Sequence, residues 1–257
     1  MNDKIKTESK HPLVPWNPWL GVIFVIVVYY VAEIFGGLVL SIYPGLRHWS
    51  HDQTMSWLTN SVVAQFFYLV LASGGILTAI YFFLKRYNCS FNTIGLHRPR
   101  WRDPLYGLMA VPAYYLLYLV SVSLVAHFIP SFDVNQQQQV GFDSVHGAAP
   151  LILAFISLVI LPPLTEETMV RGFLYSSLKK GMAIIPAAIV TSLLFAAAHL
   201  PEGGAAGPLY IAALDTFILS LVLVYLREKT GSLWAGITLH AIKNGIAFVA
   251  LFVVHAR

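Results

Sequence analysis

The sequence predicts an all-α polytopic membrane protein, built as a bundle of seven to eight transmembrane helices with a polar site buried between them. Of its 257 residues, 57% are hydrophobic and only 11% are charged, whereas soluble domains carry about 25% charged residues. Apolar runs recur along the chain at the length of about 20 residues that a helix needs to cross a bilayer. A few ionisable residues nevertheless fall inside those runs, and they indicate where the polar site lies.

Seven apolar runs are candidate spans. The first follows the polar start MNDKIKTESKHPLVPWNP and, at about 25 residues without a small-residue cleavage site, is too long for the core of a cleaved signal peptide. The fourth contains Pro162-Pro163, which predicts a break into two helical pieces and allows an eighth membrane element. The predicted spans are residues 19–43, 61–84, 105–129, 150–178, 182–199, 208–227 and 232–254.

Lysine and arginine are distributed unequally between the two sides of this bundle. With seven spans, twelve of the sixteen cations fall on the side of the N-terminal tail, and only Arg47 and Arg257 fall on the other. Because cytoplasmic loops carry the excess of lysine and arginine, we expect a cytoplasmic N-terminus and an outward-facing loop at Gln136–Gln139. The net charge of +4 is small and concentrated on one side, which argues against a nucleic-acid partner.

The segment EETMVR, residues 166–171, places three ionisable groups inside the fourth span. A charge at mid-bilayer costs about 2.5–3.5 kcal/mol, so such groups pair, line a wet cavity or do chemistry. Thr165 follows the two prolines and is predicted to cap a new helix, with both glutamates in its first turn. Glu167 and Arg171 are four residues apart and can pair on one face. Glu166 is rotated about 100° away and remains available as a base.

Two later spans carry polar residues at helical spacing. Phe195 and His199 share one helical face, and so do His240 and Asn244. A histidine beside an amide suits the binding of an anionic oxygen. At about 1.5 Å per residue, Glu166, His199 and Asn244 each lie about 20 Å from the predicted inner end of their helix. We therefore expect the three helices to bring these groups together near the middle of the bilayer.

These segments resemble the motifs EExxxR, FxxxH and HxxxN of the CAAX protease and bacteriocin-processing family, the CPBP or Abi family of intramembrane glutamic endopeptidases. The resemblance covers roughly residues 90–254 and is clearest over 160–245, whereas the first two spans look generic. We accordingly divide the chain into a polar cytoplasmic tail (1–18), two generic spans with a basic inner loop (19–104) and a catalytic helical core (105–257).

The resemblance implies a multi-pass protein of a bacterial or archaeal plasma membrane that hydrolyses a peptide bond in a membrane-associated peptide or protein, including prenylated CAAX-type substrates. No metal or other cofactor is implied. Glu166 and His199 would activate a water, and His240 with Asn244 would stabilise the oxyanion of the tetrahedral intermediate. The implied catalytic residues are Glu166, His199, His240 and Asn244, with Glu167 and Arg171 in support.

Two alternatives remain open at this level. The first is a catalytic zinc with an open fourth position, for which Glu166, His199 and His240 have suitable ligand types. A cysteine-based metal site is excluded, because Cys89 is the only cysteine. The second alternative is that the chain is a non-catalytic immunity or scaffold protein. Lys243 lies between the two polar residues of the third motif, and either Asp215 or Glu33 is its expected partner.

Overall fold

The computed structural model describes residues 13–136, 138, 142, 145 and 147–254. All the regular secondary structure within these residues is helical, and seven helical stretches among them are long and apolar enough to cross a membrane. The prediction of an all-α polytopic membrane protein is therefore confirmed. Residues 1–12 of the predicted cytoplasmic tail, together with Gln137 and Gln139, lie outside the described part of the chain.

The spans follow one another along the chain. The first two are α1 (Pro18–Leu46) and α3 (Val62–Arg86), joined through the short helix α2 (His51–Asn60). A single 3₁₀ turn (Phe91–Ile94) and α4 (Arg102–Phe128) come next. The remaining helices are α5 (Ala148–Phe155), α6 (Leu161–Glu166), α7 (Tyr175–Gly181), α8 (Ile184–Ala198), α9 (Tyr210–Thr230) and α10 (Trp234–Val249), with a 3₁₀ segment (Leu200–Ala206) after α8.

The predicted break at the two prolines is wrong. Two π-helical stretches, Ile156–Ile160 and Glu167–Leu174, join α5, α6 and α7 into one helical run from Ala148 to Gly181, which we call the composite helix. A proline has no N–H to donate, but in the first turn of a helix that N–H would have no intrahelical acceptor in any case. The two prolines stand in the first turn of α6, directly after the first π stretch. Among the described residues the composite helix is one span, so no eighth spanning element results.

The predicted cap at Thr165 is wrong for the same reason. Thr165 lies inside the composite helix and is buried, because α6 begins four residues earlier at Leu161. Glu166 and Glu167 therefore sit in the interior of a continuous helical run and not in a first turn. The charge of the two glutamates has to be compensated by side chains of this helix and its neighbours.

The residues just before α1, the end of the composite helix and the end of α9 meet at one end of the bundle. Lys180 at the end of the composite helix donates to the carbonyls of Pro15 and Trp16, at 2.9 and 2.8 Å. Lys179 pairs with Glu228 at the end of α9, at 2.5 Å. These contacts group the regions as the distribution of lysine and arginine predicts. Which side of the membrane this end faces stays a prediction.

The first helix packs directly on the composite helix. Trp16 stacks on Phe173 with ring centroids 5.0 Å apart, and its indole N–H donates to the hydroxyl of Ser177 at 2.7 Å. A Cβ on Gly21 of α1 would lie 2.2 Å from Oγ of Ser177. Only glycine fits at this distance, and the close approach brings α1 beside the part of the composite helix that carries Glu166.

The polar loop before the composite helix is tied to the start of α9. The side chain of Gln136 donates to the carbonyl of Pro208 at 3.1 Å and accepts from the backbone N–H of Ile211 at 3.2 Å. Gln138 donates to Glu202 at 2.8 Å. This contact brings the loop to the 3₁₀ segment that follows α8.

Candidate active site

Glu167 and Arg171 form a buried ion pair at the centre of the bundle. Nη1 of Arg171 lies 2.9 Å from Oε1 of Glu167, and the two side chains are 0% and 1% exposed. The guanidinium also lies over the ring of Phe195 on α8, 4.3 Å from its centroid, where an aromatic face attracts a cation. The pair thereby joins the composite helix to α8.

Helix α10 approaches this pair closely enough for His240 to join it. A Cβ on Gly236 of α10 would lie 3.0 Å from Oε2 of Glu167, so a side chain at that position would hold the two helices apart. With glycine there, Nδ1 of His240 lies 3.2 Å from Oε1 of Glu167. The carboxylate can only accept, so Nδ1 carries the proton in this contact.

The other ring nitrogen of His240 points to the second glutamate. Nε2 of His240 lies 3.9 Å from Oε2 of Glu166, and the imidazole is buried. The ring therefore bridges the two adjacent glutamates. Glu167 serves both Arg171 and His240, whereas Oε2 of Glu166 is buried without a hydrogen-bond partner among the described residues.

His199 is oriented by the end of its own helix. It follows the last residue of α8, where backbone carbonyls lack helical partners, and its Nδ1 lies 2.8 Å from the carbonyl oxygen of Phe195. A carbonyl only accepts, so Nδ1 carries the proton and Nε2 of the neutral ring has a free lone pair. Nε2 lies 3.8 Å from Oε1 of Glu202.

Glu166 and His199 face one cavity of about 680 Å³. Its walls come from the composite helix, from α8 and from α1, which supplies Tyr29 and Glu33. Glu202 completes the polar part of the lining, and the remaining lining residues are mainly apolar. A cavity of this volume, with apolar walls and a few convergent polar groups, has the character of a ligand site.

Asn244 is directed elsewhere. Its Nδ2 donates to the backbone carbonyl of Leu158 on the composite helix, at 3.0 Å. His240 and Asn244 do share one side of α10, but the imidazole turns to the two glutamates and the amide to this carbonyl. Of the six expected site residues, the structure brings five side chains into one contact network around Phe195 and the cavity, and Asn244 lies outside it.

The other intramembrane charges have partners of their own. Lys243 binds Asp215 at 2.9 Å, and Asp215 accepts from the hydroxyl of Tyr114. Glu33 accepts from the hydroxyl of Tyr68. Asp215 is therefore the partner of Lys243, and this ion pair ties α10 to α9 and, through the tyrosine, to α4.

Sequence reasoning missed two contributors to the cavity. Glu202 lies three residues after His199, and the 3₁₀ geometry of Leu200–Ala206 turns positions three apart to one side. The sequence signal was Pro201, which favours the start of a new helical turn directly after His199. Tyr29 was not predicted as a site residue, because the sequence of α1 is mainly apolar apart from Glu33 and a few tyrosines. No group of three or more His, Cys, Asp or Glu side chains within the described residues is arranged to hold a metal ion.

Comparison with known proteins gives one match. Residues 148–246 match the family model "Type II CAAX prenyl endopeptidase Rce1-like". No curated protein and no solved structure matches the chain. The matched segment begins with the composite helix and ends in α10 just after Asn244, so it contains all six expected site residues. Residues 148–246 of this integral multi-pass membrane protein are therefore similar to the Rce1-like family of CAAX-type proteases.

Proposed function

We propose that this protein is an intramembrane endopeptidase that hydrolyses a peptide bond of a membrane-associated substrate without a metal ion. The observation that carries the proposal is the shared cavity onto which the carboxylate of Glu166 and the imidazole of His199 both open. The membrane protease family of residues 148–246 supports the reaction class. The assignment of each residue below is part of the proposal.

Glu166 and His199 activate the attacking water. Water is a poor nucleophile at neutral pH, and a positioned base contributes roughly 10²–10⁴-fold to the rate. Glu166 is the glutamate that Arg171 leaves free, and His199 presents the unprotonated Nε2 because its Nδ1 is held by a carbonyl. One of the two groups takes the proton of the water, and the other hydrogen-bonds to the same water and orients it.

His240 stabilises the developing oxyanion. In its protonated form the imidazole donates from both nitrogens, and its Nδ1 is already held by Glu167. Nε2 then points its proton toward the position where Glu166 delivers the nucleophile. Such a donor is worth about 10²–10³ in rate, because it acts on charge that appears only in the transition state. Glu167 and Arg171 keep the ring in place.

The substrate class follows from the lining of the cavity and from the family. Its mainly apolar walls accommodate aliphatic side chains or part of a lipid chain, and the first helix forms one of them. We propose a prenylated CAAX-type peptide or protein as the substrate, presented from the lipid bilayer. The carboxylates of Glu33 and Glu202 both line this cavity and favour a substrate without negative charge beside the scissile bond.

Turnover of a prenylated, internally quenched CAAX-type peptide tests the proposal. The wild-type protein in lipid nanodiscs should cleave it at one bond, identified by mass spectrometry, and Glu166→Gln should lose at least about 10²-fold in kcat. Asp52→Asn on the exposed side of α2 is the matched carboxylate-to-amide control and should retain wild-type kcat. Full turnover by Glu166→Gln would refute the assignment.

Metal dependence is tested with the same peptide. We expect chelators to leave kcat unchanged and metal analysis of the active protein to find no stoichiometric zinc. Loss of turnover to a chelator with recovery on addition of zinc would instead favour a metalloprotease that uses Glu166, His199 and His240 as ligands.

A further inference from the structure

The carbonyl of Leu158 has lost both backbone donors that a helix can offer it. In an α-helical turn its donor would be the N–H of residue 162, and in a π-helical turn the N–H of residue 163. Both positions are proline, which has no N–H. The nearest earlier donor, the N–H of Leu161, is used by the carbonyl of Ile156. In a bilayer an unpaired backbone carbonyl is costly, because no water is present to satisfy it.

Asn244 supplies the missing donor from a different helix. Its side-chain N–H reaches the carbonyl of Leu158 at 3.0 Å. The contact links residues 86 positions apart and crosses from α10 to the composite helix at the turn that the prolines form. It therefore satisfies the carbonyl that the two prolines leave without a backbone donor.

We propose that Asn244 is a positioning residue that holds the proline turn of the composite helix in shape, and with it the place of Glu166 opposite His240, by supplying the donor that the carbonyl of Leu158 lacks. His240 lies one helical turn before Asn244 on α10, and Glu166 lies about two turns after Leu158 on the composite helix. A proline turn that changes shape when its carbonyl is unpaired would shift Glu166, and with it the 3.9 Å approach of Glu166 to His240. The inference rests on the proposed function, because it assigns a role in that reaction.

This role differs from direct binding of the oxyanion, which the sequence motif implies for Asn244. A donor to the oxyanion acts on the substrate and cannot be replaced by a group behind the site. A positioning donor acts on the carbonyl of Leu158, so any other donor to that carbonyl replaces it. Pro162→Ala returns a backbone N–H to the turn, next to that carbonyl. Combining Pro162→Ala with Asn244→Ala therefore distinguishes the two roles.

The experiment compares the wild-type protein, Asn244→Ala, Pro162→Ala and the double variant in nanodiscs. Thermal unfolding and kcat are measured for each, the latter with the prenylated quenched peptide well below the unfolding temperature. We expect Asn244→Ala to lower kcat by about 10²-fold, since a displacement of about 1 Å at a site costs this much, with KM little changed. Pro162→Ala alone should retain kcat within about threefold, and the double variant should recover to within about tenfold of Pro162→Ala.

Each outcome decides between the roles. A double variant as inactive as Asn244→Ala would overturn the positioning role and favour direct oxyanion binding. A lowered unfolding temperature in Asn244→Ala with unchanged kcat would reduce Asn244 to a stabilising contact and also overturn the positioning role. If Asn244→Ala does not fold, the double variant must fold for the proposal to stand. If no variant, including the wild type, cleaves the peptide, the proposed function fails, whereas the coupling in unfolding temperature still tests the contact with Leu158.

Discussion

Arg171 is the most deeply buried charge of the site, and its only ionic partner within the described residues at hydrogen-bond distance is Glu167. Nε and Nη2 of this guanidinium have no hydrogen-bond partner there, so the ring of Phe195 and the single carboxylate carry its compensation. Glu167 in turn serves Arg171 and His240 at once. The charge of this glutamate is therefore more important for folding than that of Glu166.

We expect Glu167→Gln to destabilise the protein where Glu166→Gln does not. Removing one partner of a buried ion pair costs about 3–5 kcal/mol, because the other charge stays buried and unpaired. Thermal unfolding of both variants in the same nanodiscs measures the difference, and Glu166→Gln is the matched control, one residue away with the same change of group. Equal unfolding temperatures for the two variants would contradict the division of roles between the adjacent glutamates.

The spacing of residues predicted much of this site because the relevant contacts are helical neighbours. The pair of Glu167 with Arg171 and the shared side of Phe195 and His199 follow from a separation of four residues. The direction of Asn244 could not be predicted in this way, because its acceptor becomes available only when two prolines remove the donors of a distant turn. The same long-range contact keeps the composite helix continuous, which local rules for proline do not anticipate.

At the scale of helices, the approach of α1 to the composite helix depends on Gly21. We expect Gly21→Ala to cost about 1–3 kcal/mol through overpacking, because the new Cβ would lie 2.2 Å from Oγ and 2.4 Å from Cβ of Ser177. Activity should fall with it, since α1 forms a wall of the cavity. Gly37→Ala on the same helix is the matched control, because a Cβ there meets nothing within 4 Å.

This prediction is tested by measuring the unfolding temperature and kcat of Gly21→Ala and Gly37→Ala. Alanine favours a helix over glycine by up to about 1 kcal/mol, so Gly37→Ala should be neutral or slightly stabilising. If Gly21→Ala behaves like Gly37→Ala, the close packing of α1 on the composite helix is contradicted.

At the scale of the whole molecule, composition and apolar run length were sufficient to predict the seven spans, because a bilayer imposes both. The distribution of lysine and arginine predicted which ends of the spans lie together. The distribution of lysine and arginine did not predict the cavity, because the wall that α1 contributes contains a single carboxylate among mainly apolar residues. Three-dimensional packing, and not periodicity, brings that wall to Glu166.

Labelling from outside the cell tests the orientation of the bundle. In a Cys89→Ser background, a cysteine at Met55 in α2 should react with a membrane-impermeant maleimide, and one at Arg100 in the basic loop should not, since that loop is expected in the cytoplasm. Both positions are exposed on the protein surface, so the side of the membrane on which each cysteine lies decides whether it reacts. Labelling at Arg100 and protection at Met55 would reverse the assigned orientation.

The position of α1 also separates two kinds of information along the chain. The groups proposed to break the peptide bond all fall within residues 148–246, whereas Tyr29 and Glu33 belong to a helix that precedes this segment by more than a hundred residues. Part of the cavity wall is thus encoded outside the stretch that is proposed to cleave the bond. We therefore expect a chimera that exchanges α1 alone, and keeps glycine opposite Ser177, to change the substrate preference while every group proposed to react stays the same.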